Sequence, residues 1–257
     1  MRDCLFDELC IKHEKKRFLI FAIACVGFLS FVYTPIYLLL SSNVLWRNSI
    51  LLFLWTEVIA TLADFAFYWG SFAFLIYIYL RFGKSEIKPF AVISAIAIVA
   101  RYLLTTIVDF ALMSFPGWDV LFGEELPSML FTVLMDALQM LGVLFLAEFC
   151  CRPLMQKGRG EGIMQELFPL EGLFNLKNPL SKLCFFSALI PSGVKLLSRL
   201  YYDIFFWGLP QDAEEWILVI TYYIGDIAML LIGYFVLLYL MQAFWSAENK
   251  RKNDFEL

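Results

Sequence analysis

Apolar residues run along this chain in long unbroken blocks. They show neither the alternation of a half-buried strand nor the single stripe of a surface helix. Six blocks stand out, at roughly 18–40, 50–80, 89–115, 128–151, 181–207 and 214–245. A helix needs about 20 mostly apolar residues to cross the ~30 Å hydrocarbon core of a bilayer. The pattern therefore predicts an all-α integral membrane protein, a bundle of six transmembrane helices. The second and sixth blocks exceed the minimum and imply tilt or extension past the bilayer. The first is too long for the apolar core of a signal peptide. It also lacks an A-x-A-like exit and follows an acidic N-terminus with Asp3, Asp7 and Glu8, so it reads as a retained span. The expected organisation is an N-terminal segment 1–17, four spans within 18–151, an interfacial segment 152–180, two spans within 181–245 and a tail 246–257.

Composition supports the pattern. Of 257 residues 61% are apolar and only 17% charged, with a mean hydropathy of +0.74. Ordinary soluble domains are nearer half apolar and a quarter charged. Aromatic residues make up 18%, which excludes a disordered chain. Six Cys in this length exclude a disulfide-stapled module. A net charge of −4 without a basic stripe speaks against a nucleic-acid partner.

Basic residues then set a direction. The N-terminal segment carries Arg2, Lys12, Lys15, Lys16 and Arg17. The second loop has Arg81, Lys84 and Lys88; the fourth has Arg152, Lys157, Arg159, Lys177 and Lys182; the tail has Lys250, Arg251 and Lys252. The alternate loops hold only Arg47. By the positive-inside rule both termini face the cytoplasm. Trp46, Trp118, Trp207 and Trp216 then fall at the outer interface, where amphipathic rings are well solvated. All six Cys lie on or near the reducing side, so free thiols are expected. His13 is the single histidine and no C-x-x-C occurs, so no metal site and no cofactor is expected. The compact loops suit a bacterial inner membrane.

Residues 152–180 form the one sizeable non-spanning segment. Gly158, Gly160 and Gly162 loosen its start, and Pro169, Gly172 and Pro179 interrupt its Leu and Phe residues. It is expected to lie at the interface as short turns, with docking of a protein partner as its functional alternative.

Two of the hairpins share a pattern. Pro89, Glu124–Glu125 and Asp136 match Pro179, Glu214–Glu215 and Asp226 at an offset of 90. Arg101, Leu103, Asp109 and Pro116 match Lys195, Leu197, Asp203 and Pro210 at an offset of 94. Spans 3–4 and 5–6 thus read as copies of one two-helix hairpin, with spans 1–2 a degenerate copy. A two-span unit keeps its orientation, so the copies are parallel and related by an axis along the membrane normal.

The informative chemistry is buried charge. Ionisable residues within spans cost on the order of 2.5–3.5 kcal/mol each at mid-helix. This chain places nine there: Glu57, Asp64, Arg101, Asp109, Asp136, Lys195, Arg199, Asp203 and Asp226. They must face one another or a wet cavity. Arg101, Thr105 and Asp109 share one helix face, and Lys195, Arg199 and Asp203 repeat it. Each outer Asp is ~12 Å from the basic residue that starts its face, too far for a bond within its own helix. The expected pairs are Arg101 with Asp136 and Lys195 with Asp226, in a mid-membrane ring. Glu57 contributes to an acidic vestibule above it. Six acids against three bases leave three carboxylates that need a proton, a donor, water or a cation.

This arrangement points to a transporter or permease for a small cationic or zwitterionic solute, with proton coupling chemically accessible. The alternative is a non-catalytic scaffold, partner subunit or sensor whose buried charges are salt bridges. Tyr202–Asp203 and Gly225–Asp226 resemble the YD and GxGD motifs of intramembrane aspartyl proteases, in which two carboxylates share a proton and activate water. Position 223 is Tyr where that motif has its first glycine, and no P-A-L triplet occurs. No catalytic residue is therefore assigned.

Overall fold

The computed structural model describes residues 2–42, 54–112, 126–157, 161–168, 175–202 and 213–256. Among these residues the chain is all-helical. Six helical stretches are long and apolar enough to span a membrane: Asp7–Leu40, Thr61–Phe82, Lys84–Asp109, Leu130–Leu154, Pro179–Leu197 and Val219–Asp254. The exposed large side chains of these stretches, such as Ile23, Ile96, Phe145 and Ile224, are the ones a bilayer would solvate.

The first span joins α1 (Arg2–Gly27) to α2 (Thr34–Ser42) through a π-helical stretch, Phe28–Tyr33. Pro35 explains the widened turn. It has no N–H to give Phe31, and its ring crowds that carbonyl. The helix relaxes by letting the Thr34 N–H and Oγ1 both reach the Leu29 carbonyl, the latter at 2.9 Å. A second π-helical stretch, Leu54–Ile59, leads into α3 (Ala60–Phe82). The two stretches touch: Trp55 stacks on Tyr33 at 6.0 Å and its Nε1 donates to the Tyr33 carbonyl at 3.2 Å.

Gly83 makes the connection from α3 to α4 (Lys84–Leu112) by itself. Its φ of 86° is one that a Cβ opposes, and its N–H closes the last turn on the Tyr79 carbonyl at 3.0 Å. The remaining elements are α5 (Leu126–Lys157), α6 (Glu161–Leu167), α7 (Pro179–Tyr202) and α8 (Ala213–Glu256).

Several helices run on past the apolar blocks. α1 starts at Arg2, α5 continues through Pro153 to Lys157, and α8 covers 44 residues up to Glu256. The expected segments at 1–17 and 246–257 are therefore largely helix, as is the start of 152–180. Hydropathy marks where lipid begins; a helix continues beyond that wherever one face still has something to pack against. Cys10, Glu14 and Phe18 supply that face in α1, and Phe244 and Glu248 in α8.

The chain forms two compact units, residues 1–75 with 84–141, and residues 76–83 with 142–257. The core of the first is aromatic: Phe18 lies 5.0 Å from Phe74 and 5.7 Å from Phe90 between ring centroids. Gly70 leaves room here, because a Cβ at this position would run into the outer edge of the Phe21 ring. Gly70→Ala is expected to lower stability by about 1–3 kcal/mol, read as an earlier thermal melt. Gly142→Ala is the matched control. Its Cβ would meet only Ile190 Cδ1 at 3.5 Å, an ordinary contact, and its melt should stay near wild type.

In the second unit α7 packs along α8. From Tyr234 onward the buried residues of α8 fall at 234, 237, 241, 244 and 248, a spacing of three and four that keeps one face inward. Asn178 caps α7, accepting from the Leu180 N–H at 2.8 Å and the Ser181 N–H at 3.3 Å. Its Nδ2 also donates to the Leu167 carbonyl at 3.0 Å, which ties α6 to the start of α7. Met164 and Leu167 of α6 are fully buried, and Phe168 stacks on Trp245 at 5.9 Å. The described part of 161–180 is thus a short helix and a capped turn, packed into its unit. Trp216 lies exposed near the start of α8, whereas Trp46, Trp118 and Trp207 fall outside the described residues. No disulfide joins the described cysteines.

Candidate functional site

Three of the expected charges meet in the first unit. Asp64 and Arg101 lie 37 residues apart on either side of the Gly83 turn. Both are about equally far from that turn, so α3 and α4 bring them to one level. Arg101 Nη2 donates to Asp64 Oδ1. This corrects one expected pair, because Arg101 makes its ion pair with Asp64 and not with Asp136.

Depth does not explain that choice, since Asp136 on α5 lies at a similar distance from the connection following α4. The two oxygens of Asp136 are already taken. Tyr68 Oη donates to Oδ1, and Tyr102 Oη donates to Oδ2 at 3.1 Å. Tyr68 is one turn after Asp64 on α3, and Tyr102 is next to Arg101 on α4. The ion pair and the buried carboxylate are therefore interleaved along the same two helices.

The π-helical stretch of the first span completes the cluster. Ser30 is fully buried there. Its Oγ donates to the Arg101 carbonyl at 3.4 Å and lies 3.3 Å from Thr105 Oγ1. Thr106 Oγ1 turns back to the Tyr102 carbonyl at 2.8 Å. These hydroxyls fix the backbone that carries Arg101 and Tyr102.

Exposure is graded across the cluster. The side chain of Asp64 is 37% exposed and that of Arg101 13%, whereas Asp136 is 2% exposed as a residue. Asp64 is the open end and Asp136 the sealed end. Among the described residues of this unit, four polar side-chain atoms are buried with no hydrogen-bond partner: Arg101 Nη1, Trp69 Nε1, Ser71 Oγ and Gln139 Oε1. Gln139 follows Asp136 by three residues and shares its buried helix face. Two carboxyl groups share this cluster with one guanidinium.

No protein-family model matches the chain, nor does any curated protein or solved structure.

The second unit holds another pair. Lys195 Nζ lies 3.6 Å from Asp226 Oδ1, as the spacing predicts. Asp226 is buried and Lys195 one-third exposed. The resemblance of Gly225–Asp226 to a protease motif thus falls on a carboxylate that faces a lysine; its partner Asp203 lies outside the described residues. Asp109 is half-buried in the last turn of α4. Glu57 and Arg199 sit in helical stretches, but their side chains are outside the described set.

Sequence reasoning missed the most enclosed ion pair among the described residues of this unit. Arg81 Nε donates to Glu248 Oε1 and Tyr77 Oη to Glu248 Oε2, both at 2.5 Å. Arg81 is 4% and Glu248 2% exposed. Charge position had placed the first in a loop and the second in a tail. Helix periodicity was the available signal, because Glu248 continues the buried series of α8 at a seven-residue step from Tyr234 and Met241. Tyr68 and Tyr102 were missed as well. Their signal was the rule that a buried phenol finds an acceptor. Among the described residues no group of three or more His, Cys, Asp or Glu could hold a metal ion.

Proposed function

We propose that this polytopic membrane protein is a transporter or permease for a small cationic or zwitterionic solute, with proton coupling through Asp136. The observation that carries this reading is a buried carboxylate held by two phenols, beside a guanidinium already engaged by a second carboxylate. A proton or cation that reaches an ionised Asp136 removes one negative charge from the cluster. It also leaves Arg101 facing one carboxylate instead of two. The gradient of exposure from Asp64 to Asp136 gives such a charge a way in. Lys195 with Asp226 supplies a second basic–acidic pair of the same type. We read spans 3–4 and 5–6 as parallel copies on the strength of their matched sequence positions. Both termini face the cytoplasm in this reading, because the basic residues cluster in alternate loops. A bacterial inner membrane is the host it favours.

A second reading is a scaffold or partner subunit whose charges only join helices. It is supported by Glu248, each of whose carboxylate oxygens is taken by Arg81 or Tyr77, and by the packing of 161–168 into its unit. Uptake of a solute panel into proteoliposomes under an imposed proton gradient separates the two. Wild type is expected to accumulate a cationic or zwitterionic solute, and Asp136→Asn and Asp226→Asn to lose gradient-dependent uptake in the folded fraction. Wild type that moves no solute, with both variants merely melting earlier, decides for the scaffold.

A further inference from the structure

A hollow of about 300 Å³ opens in the first unit between α1 and α4, away from the charged cluster. Leu19 and Ile23 of α1, Phe31 of the π-helical stretch and Ile96 of α4 form exposed apolar rims. Small residues, Ala22 and Gly27 on one helix and Ala97 and Ala100 on the other, widen the hollow between them. From Leu19 to Phe31 it runs ~18 Å along the helix, slightly more than half of the ~30 Å hydrocarbon core. It is therefore as long as one leaflet is deep.

What lies beyond its Leu19 end is polar. One turn before Leu19, on the same face of α1, come Lys15 and Lys16; Lys16 is exposed and Lys15 half-buried. Lys12 continues the face and is paired with Glu8 at 3.1 Å. The contact of Phe18 with Phe90 sets the register of the two helices, so α4 presents residues near 86–88 at the height of Lys15 and Lys16. Glu86 is the residue there that shares a face with Ile93 and Ile96. An apolar slot one leaflet long thus ends at two ammonium groups and a carboxylate. We propose that this groove binds a single ethanolamine phospholipid, with an acyl chain in the slot, the phosphate on Lys15 and Lys16, and the headgroup amine toward Glu86. The assignment is independent of the transport reading.

Native mass spectrometry of the full chain tests it, after incubation with phosphatidylethanolamine, phosphatidylglycerol or diacylglycerol of identical chains. One phosphatidylethanolamine is expected to stay bound, at least tenfold tighter than either competitor. Ala97→Phe, which fills the slot, and the double variant Lys15→Glu with Lys16→Glu should each remove that preference while keeping the wild-type melt. Should Ala97→Phe misfold, the lysine variant and Glu86→Gln still decide, the latter by losing only the preference over phosphatidylglycerol. Equal retention of all three lipids by wild type and variants overturns the proposal. So does a dimer that Ala97→Phe dissolves, since a second copy would then occupy the groove.

Discussion

Glu248→Ala is expected to cost about 3–5 kcal/mol and to lower the thermal melt more than any other single change considered for this protein. The reason is asymmetry. Arg81 is 4% exposed and cannot lose its charge, so removing the carboxylate takes away the acceptor of its Nε and a full opposing charge at 2.5 Å. The Tyr77 hydroxyl loses its acceptor in the same step. The pair need not be net stabilising for this to hold, because desolvating both ions offsets much of their attraction. That gives the prediction a second half. Arg81→Met combined with Glu248→Leu should recover most of the loss, since two apolar side chains can fill the space of a buried pair. Melting curves of the two variants in lipid nanodiscs check it. A Glu248→Ala melt equal to wild type would mean that the pair is not enclosed within the helix packing.

The second large effect is expected at Asp136. Each phenol hydrogen bond to this carboxylate should be worth about 1.5–3 kcal/mol, the range for bonds to charged groups. Tyr68→Phe with Tyr102→Phe removes both, and the expected cost is about 3–5 kcal/mol. Adding Asp136→Leu to that double variant should raise the melt again, because the unsatisfied group itself is then gone. A triple variant no more stable than the double would show that the tyrosines act through ring packing, and that the carboxylate is solvated by another route. Uptake measured on the single variants carries separate information. Tyr68→Phe keeps the charge of Asp136 but changes its hydrogen bonding. A shifted solute affinity with intact folding would connect the phenols to the transport reading.

The spans were legible because the bilayer imposes one rule on every helix that crosses it, and a window of hydropathy reads that rule directly. Helix ends were not legible in the same way. Arg2, Lys157 and Glu256 belong to helices for reasons of packing, which a hydropathy window does not register. Among the site residues, Lys195 and Asp226 could be paired from spacing. Arg101 could be recognised as needing a carboxylate but not assigned to one, because Asp64 and Asp136 lie at comparable depth along the chain. Two tyrosines decide between them, and a neutral residue in an apolar block carries no mark of that role. The buried Ser30 was equally silent; it matters through a turn widened by Pro35, five residues further on.

The unbroken length of α8 has one further consequence. Asp226 and Glu248 lie 22 residues apart on a single helix, ~33 Å by helix rise, and nearly the same side of it faces inward at both points. A helix turns as a rod, since twisting it along its length would break the hydrogen bonds that define it. The contacts of Asp226 with Lys195 and of Glu248 with Arg81 therefore share one angular setting. Any rotation that frees the first must strain the second, and whatever locks the second also holds the first in place.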